Sequence, residues 1–276
     1  MSLRRQQNKT VYYTHNENPD LPVIIMIHGF RGTHHGLDLI ATPLIDHQVI
    51  VPDLPGFGES DPLMDEHSVN NYVRWLADFI TGLNLPTLPI LLGHSFGSVI
   101  AANYAVKYPN TIYKLILINP IGSPALKGPK AITTQLTQIY YWIASKLPEK
   151  TAYRLLTAKS IFPVVQKSII KTRDKKILEY IYSQHLAHSG SFASRKVVFE
   201  ALDASIKHTV REVAHEIKVP TLIIAGELDD ITPLAKQHEL KQIIPNAEMT
   251  IINGVGHLTQ YETPDAVADA IKKFAN

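Results

Sequence analysis

A serine held between two glycines, in the segment L-L-G-H-S-F-G-S, is the first place where this chain could carry out covalent chemistry. Ser95 follows a short apolar run and precedes a helical pattern. A strand that turns sharply into a helix lifts such a serine above the sheet, and the tight bend favours Gly93 and Gly97 because side chains there would clash. The free N–H groups of the first helical turn would stabilise an oxyanion beside the hydroxyl. The pattern therefore predicts a nucleophilic serine at a G-x-S-x-G elbow.

A serine hydroxyl is a weak nucleophile, so the elbow requires a base and an acid that orients the base. In chain order the acid should come before the histidine. Asp229 follows the apolar run T-L-I-I-A, and His257 ends the loop G-V-G-H after the apolar run M-T-I-I. Because catalytic groups gather at the carboxyl ends of parallel strands, we expect Ser95, Asp229 and His257 to converge. Asp230 is the alternative orienting acid, although the frame G-x-x-D-x-x-x-P favours Asp229.

The elements that must position these side chains are short apolar runs alternating with helical patterns. Continuous apolar runs are typical of parallel strands covered on both faces, and they occupy residues 23–27, 48–51, 89–92, 114–118, 221–225 and 249–252. Apolar positions at helical spacing occupy residues 69–83, 96–108, 233–243 and 264–275. Residues 10–14 suit an antiparallel edge strand. The alternation predicts an α/β fold, a mostly parallel sheet with helices on both faces.

The alternation breaks at residues 121–212, which are almost entirely helical in pattern and are punctuated by prolines. Residues 121–210 contain 14 Lys and Arg against 5 Asp and Glu, whereas the rest of the chain contains 13 against 20. A basic helical segment inserted between strands of an acidic body predicts a cap. We therefore divide the chain into a core of residues 1–120 and 213–276 and a helical cap of residues 121–212.

Composition limits the classes of protein that remain. The chain has 276 residues, of which 45% are hydrophobic and 19% charged, so it can form a sizeable core. A net charge of +2 does not favour a nucleic-acid partner, and the absence of cysteine excludes disulfides and thiolate metal sites. The first residues lack the apolar stretch of a secretory signal, and no early run could span a bilayer. We expect a cytoplasmic protein that acts on a small molecule without stable membrane insertion, and its oligomeric state stays open.

Five segments carry a resemblance to the α/β-hydrolase superfamily. In chain order they are H-G-F-R-G (28–32), D-L-P-G-F-G-E-S (53–60), G-H-S-F-G (93–97), G-E-L-D-D-I-T-P (226–233) and G-V-G-H (254–257). The resemblance covers nearly the whole chain and implies an eight-stranded, mostly parallel sheet with a helical cap. The serine chemistry expected from the triad requires no cofactor. It also implies that the backbone N–H groups of Phe30 and Phe96 bind the oxyanion. In some members the acid follows the strand after the elbow helix, and that position is the uncharged Asn119 here, which favours Asp229.

Several polar residues near these motifs have structural rather than catalytic interpretations. We expect His28 to hydrogen-bond its own loop and Asp53 to be a buried structural acid. The pairs His34-His35 and His185/His188 have no third ligand at a sequence spacing typical of metal sites, so no metal site is predicted.

The reaction expected from these residues is hydrolysis of a carboxylic ester, lactone or thioester through an acyl-enzyme on Ser95. Carboxylate-dependent dehalogenation and epoxide opening are disfavoured by the serine. Carbon–carbon bond hydrolysis of the ring-cleavage type, acyl transfer and a slow-turnover small-molecule receptor stay open, although many carbon–carbon hydrolases carry asparagine at position 94. The candidate substrate-pocket residues are His94, Tyr141, Trp142 and Phe162.

Overall fold

The computed structural model describes residues 2–123, 131–158 and 169–276. Eight strands form one sheet in the order β1-β2-β4-β3-β5-β6-β7-β8. Strand β2 runs antiparallel to both of its neighbours, and all the other pairings are parallel. The strands are β1 (Leu3–Gln7), β2 (Thr10–His15), β3 (Val23–Ile27), β4 (Gln48–Pro52), β5 (Ile90–His94), β6 (Lys114–Ile118), β7 (Thr221–Gly226) and β8 (Ala247–Ile252).

The described helices follow the strands in a regular order, apart from a run of four between β6 and β7. They are α1 (Asp38–Ala41), α2 (Val69–Gly82), α3 (Phe96–Lys107), α4 (Ala131–Lys146), α5 (Glu149–Leu156), α6 (Lys175–His188), α7 (Arg195–Lys207), α8 (Leu234–Ile243), α9 (Thr259–Glu262) and α10 (Pro264–Ala275). The N-terminus of α2 is capped by Ser68, whose side chain accepts a hydrogen bond from the Asn71 N–H.

The sheet is buried on both faces, which explains why its central strands read as unbroken apolar runs. Along β3, Ile25 and Ile27 enter one hydrophobic cluster, and the alternate residues Ile24 and Met26 enter a second. The first cluster includes apolar side chains of α2 and α3, and the second includes those of α1 and α10. Helices therefore cover both faces, and the predicted α/β fold with an eight-stranded, mostly parallel sheet is confirmed.

The first strand was missed by sequence analysis. The segment L-R-R-Q-Q of β1 is polar and exposed over four of its five residues, and it pairs with β2 at the end of the sheet. An edge strand of this kind gains its hydrogen bonds without burying side chains, so it leaves no apolar pattern to read. The predicted edge strand at residues 10–14 is β2, which lies one place further in.

Helices α4 to α7 occupy the segment for which a cap was predicted, and the division of the chain into core and cap stays a prediction. This helical segment contacts the loop after β4 through a short backbone pairing. The Gly58 N–H donates to the Ser191 carbonyl and the Ala193 N–H donates to the Gly56 carbonyl, both at 2.9 Å. Among the described helices, none has the length and apolar character needed to cross a bilayer.

Candidate active site

Ser95 lies at the sharp turn between β5 and α3. Its backbone has φ 52° and ψ −117°, a conformation that side chains rarely adopt, and its N–H donates to the Ile118 carbonyl at 3.0 Å. A Cβ added to Gly93 would collide with the backbone of Gly97, and one added to Gly97 would collide with the Ile27 carbonyl. The two glycines are therefore required by close backbone approach, and the turn they permit presents the serine at the edge of the sheet.

The side chains of Ser95, His257 and Asp229 form one hydrogen-bonded chain. His257 Nε2 lies 2.9 Å from Ser95 Oγ, and His257 Nδ1 lies 2.7 Å from Asp229 Oδ2. Because a carboxylate can only accept, Nδ1 carries the proton and Nε2 is left to accept one from the serine. Asp229 and His257 are only 4% and 7% exposed, so water screens their interaction weakly.

Asp229 is held as a charged acid by its surroundings. Burial alone would raise its pKa, but the interaction with His257 and the hydrogen bonds from Thr232 outweigh burial and lower the pKa to about 2. Its Oδ1 also accepts the N–H groups of Ile231 and Thr232 at 2.7 and 3.0 Å. The neighbouring Asp230 instead pairs with Lys171 Nζ at 2.5 Å, and its side chain is 42% exposed. The carboxylate against the imidazole is therefore that of Asp229.

The side chain of Asn119 joins two of the loops that carry these residues. Its Nδ2 donates to the His257 carbonyl at 2.7 Å and to Thr259 Oγ1 at 2.8 Å, while its Oδ1 accepts the Gly226 N–H at 2.8 Å. Sequence analysis identified position 119 only as one without charge. The buried amide therefore pairs with one N–H donor through its oxygen and with two acceptors through its NH₂ group. A carboxylate has no proton to donate to those two acceptors.

Glu262, which sequence analysis did not single out, holds the His257 loop from the other side. Its buried carboxylate accepts the Gly256 N–H at 2.9 Å and the N–H groups of Lys171 and Thr172 at 2.9 and 2.6 Å. The His257 N–H donates to the Ile169 carbonyl at 2.9 Å. The loop with the base is therefore docked against residues 169–172, and no short motif signals this arrangement.

The loop H-G-F passes directly beside the serine. A Cβ on Gly29 would lie 3.1 Å from Ser95 Cβ, which places the following residue, Phe30, at the site. The Leu54 N–H donates to His28 Nε2 at 2.9 Å, so His28 Nδ1 carries a proton and donates to the Gly29 carbonyl at 2.8 Å. Burial lowers the pKa of His28, which favours this neutral form. Phe96 is the first residue of α3, and its N–H has no partner within the helix.

The candidate pocket residues are placed differently from one another. The Tyr141 ring meets the Phe30 ring edge-on, with 5.8 Å between centroids. The neighbouring Trp142 is 55% exposed on α4, and among the described contacts nothing joins it to Phe30 or Ser95. His94 is buried behind His257, whose carbonyl lies 3.3 Å from His94 Nε2, and burial lowers the pKa of His94 to about 3. Phe162 lies outside the described residues.

The remaining polar residues of the motifs make structural contacts. Asp53 is fully buried and accepts from the backbone and the ring of His34 at 2.8 and 3.0 Å, and from the Glu59 N–H at 3.0 Å. The His35 ring stacks on the His188 ring, with centroids 4.0 Å apart. Within the described ranges, no group of three or more histidines and carboxylates is arranged to hold a metal ion.

The sheet order, the inserted helices and the serine at the elbow define an α/β-hydrolase. More narrowly, residues 19–264 match the family model Hydrolase_4, described as serine aminopeptidase, S33. This match covers most of the chain, and the protein belongs to this family.

Several proteins that resemble this chain are named as lipases or esterases, which act on esters. Lipase 1 of Psychrobacter immobilis is 25% identical over 99% of this chain and 83% of its own length. Monoacylglycerol lipase ABHD6 of Mus musculus is 26% identical over 98% of this chain and 84% of its own length. A thermophilic esterase structure from Thermogutta terrifontis has the same fold, with a TM-score of 0.75 and 21% identity over all of this chain and 98% of that one. The relatives support a hydrolase that acts on esters.

Proposed function

We propose that this protein hydrolyses carboxylic esters, including lactones or thioesters, through an acyl-enzyme on Ser95. The observation that carries the proposal is the hydrogen-bonded chain from Ser95 Oγ through the His257 ring to Asp229, beside a helix N-terminus. An alcohol at this position becomes reactive because a base stands within 2.9 Å of it and a buried carboxylate orients that base.

In the first half of the reaction, His257 Nε2 takes the Ser95 proton while Oγ attacks the carbonyl carbon of the ester. The Asp229 carboxylate stabilises the imidazolium that forms, and the N–H groups of Phe30 and Phe96 bind the oxyanion of the tetrahedral intermediate. His257 then gives its proton to the leaving alcohol as the carbon–oxygen bond breaks. The product of this half-reaction is an ester between Ser95 and the acyl group.

In the second half, the same residues act on water. His257 removes a proton from a water molecule as its oxygen attacks the acyl carbon, and the oxyanion is again bound by the two N–H groups. Collapse of this intermediate returns the proton to Ser95 Oγ and releases the carboxylic acid. The balance requires only ester and water, so no cofactor enters the reaction.

A fluorophosphonate probe with intact-mass detection tests the nucleophile, and a panel of acyl esters of graded chain length tests the reaction. We expect one adduct on the wild-type chain and none on Ser95→Ala. The matched control is Ser183→Ala, which removes an exposed hydroxyl on α6 and should label fully. Labelling without turnover of any ester would favour a ligand receptor or carbon–carbon hydrolysis, and no labelling at Ser95 would end the proposal.

A further inference from the structure

Arg31 follows the proposed oxyanion donor Phe30 directly, and its guanidinium binds three separate helical segments. Its Nη1 donates to the Tyr141 hydroxyl at 3.1 Å. Its Nη2 donates to the Leu156 carbonyl at 2.9 Å and to the Ser189 carbonyl at 2.7 Å. One side chain of the loop beside Ser95 therefore reaches α4, the end of α5 and the end of α6.

The two carbonyls are acceptors that a helix cannot satisfy by itself. Leu156 is the last residue of α5 and Ser189 is the C-cap of α6, so both belong to the final turns whose carbonyls lack intrahelical donors. These ends carry the negative pole of the helix dipole, which attracts a cation. The planar guanidinium reaches the Tyr141 hydroxyl through Nη1 and both carbonyls through Nη2, whereas lysine has one nitrogen and cannot occupy both positions at once.

The guanidinium is also packed against an aromatic ring. It lies 5.4 Å from the centroid of Phe192, which is close enough for a cation–π interaction. Phe192 forms an isolated antiparallel bridge with Phe57 of the loop after β4. The cation is therefore enclosed by helix ends and a ring rather than directed into solvent.

The backbone at this position links that anchor to the serine. Arg31 has φ 54°, in the left-handed region, and the Gly32 N–H donates back to the Gly29 carbonyl at 3.0 Å. This tight turn encloses Phe30, whose ring meets Tyr141 edge-on. The residue that contacts the helices therefore shares one tight turn with the Phe30 N–H.

We propose that Arg31 is a positioning residue that makes the oxyanion hole depend on the seating of helices α4, α5 and α6. The inference rests on the proposed function, because it assigns Arg31 the task of holding the Phe30 N–H beside Ser95. The Phe30 N–H is correctly placed to bind the oxyanion beside Ser95 only while the guanidinium holds these helices to the loop. The helical segment thus acts on the rate of the chemical step, in addition to covering the site.

Kinetics of the full chain on a short acyl ester test this role. Arg31→Ala should lower kcat by about 10- to 100-fold, less than the roughly 100- to 1,000-fold loss of one oxyanion donor because the Phe30 N–H is displaced and not removed. KM should change little because the donor acts mainly in the transition state. Arg31→Lys should lose most of the same activity because its single nitrogen cannot take the positions of both Nη1 and Nη2. Tyr141→Phe, which keeps the ring and removes one acceptor, should lose less than either.

Added guanidinium ion, far below denaturing concentrations, gives the readout that a merely structural residue would not move. It should restore kcat of Arg31→Ala in a saturable way, whereas sodium ion at equal ionic strength should not. Arg74→Ala is the matched control, because Arg74 lies on the exposed face of α2, and it should keep wild-type kcat with or without guanidinium. Thermal unfolding of each variant identifies any loss that is due to unfolding.

Three results would overturn the inference: an unchanged kcat in folded Arg31→Ala, wild-type kcat in Arg31→Lys, or equal effects of sodium and guanidinium. If Arg31→Ala does not fold, Arg31→Lys alone decides. These failures are distinct from failure of the proposed function, which would appear as wild-type chain that neither takes the fluorophosphonate at Ser95 nor hydrolyses the ester.

Discussion

The Asn119 side-chain amide donates to the His257 carbonyl at 2.7 Å, so a residue at the end of β6 fixes the loop that carries the base. The same side chain accepts the Gly226 N–H from the end of β7, the strand that leads to Asp229. Its backbone has φ 44°, a conformation that asparagine tolerates better than most residues. The spacing between base and acid is thus set by a residue that contacts neither ring nor carboxylate of the pair.

We expect Asn119→Asp to lower both activity and stability. A carboxylate would face the His257 carbonyl without a proton to donate, which costs about 1–3 kcal/mol for a buried, unsatisfied group. The free energy of unfolding from urea melts and kcat for a short ester measure the two effects. Asn84→Asp is the control, because Asn84 also has a positive φ, of 48°, but lies in the loop after α2. Equal stability in the two variants would contradict this account of Asn119.

The choice between the adjacent acids can be tested by the same substitution at each. Asp229→Asn should lower kcat by roughly 10⁴-fold, because the amide favours the wrong imidazole tautomer, as in serine proteases. Asp230→Asn weakens a partly exposed ion pair with Lys171 and should change kcat by less than about fivefold. Ester hydrolysis of both purified variants decides the assignment, and a large loss in Asp230→Asn alone would reverse it.

Acid should destabilise the protein partly through Asp229. Its pKa falls from 3.8 to about 2 on folding, so its contribution is complete above about pH 4 and is lost as the pH falls toward 2. A pKa lowered by this amount contributes about 2 kcal/mol to the free energy of unfolding. Unfolding free energies measured from pH 5 to pH 2 should therefore fall less steeply in Asp229→Asn than in the wild-type chain. Parallel curves would show that Asp229 does not titrate in this window.

The strained backbone of Ser95 predicts a stability gain in an inactive variant. A non-glycine residue at φ 52° and ψ −117° costs about 1–3 kcal/mol, and glycine relieves it while losing roughly 0.5–1 kcal/mol through unfolded-state entropy. Ser95→Gly should therefore unfold at a higher temperature than Ser95→Ala, and neither should hydrolyse ester. Calorimetry of the two variants measures the difference, and a more stable alanine variant would argue against strain.

Glu262 should be sensitive to loss of charge alone. Glu262→Gln keeps the shape but turns an amide NH₂ toward backbone donors, so we expect a loss of about 1–3 kcal/mol in unfolding free energy together with reduced kcat. Glu248→Gln makes the same chemical change at an exposed position on β8 and should be neutral. Urea melts and ester kinetics test the pair. If Glu262→Gln matched Glu248→Gln in both, the three N–H contacts would contribute little.

Sequence alone was sufficient for the parts of the molecule that burial and tight turns determine. The central strands bury both faces, so their apolar runs could be read directly, and Gly93 and Gly97 are required by contacts within the elbow itself. The order serine, acid, histidine followed from that elbow, and the structure brings the three side chains together.

The parts that sequence missed depend on partners far away in the chain. Arg31 binds carbonyls 125 and 158 positions later, and these acceptors belong to the backbone, which has no residue type to recognise. Glu262 and Asn119 likewise contact main-chain groups of other loops. Tyr141 and Trp142 both stay predicted pocket residues. Of the two, Tyr141 contacts Phe30, because adjacent helical residues point in different directions.

The first strand has a consequence for how molecules of this protein meet. As the end strand of the sheet, β1 offers a row of backbone donors and acceptors to which a strand of another molecule could add. Its exposed residues include the charged Arg4 and Arg5, and charged side chains on an edge strand disfavour the addition of another strand. The polar residues of β1 thus disfavour the strand-by-strand assembly of fibres, an effect that is independent of catalysis.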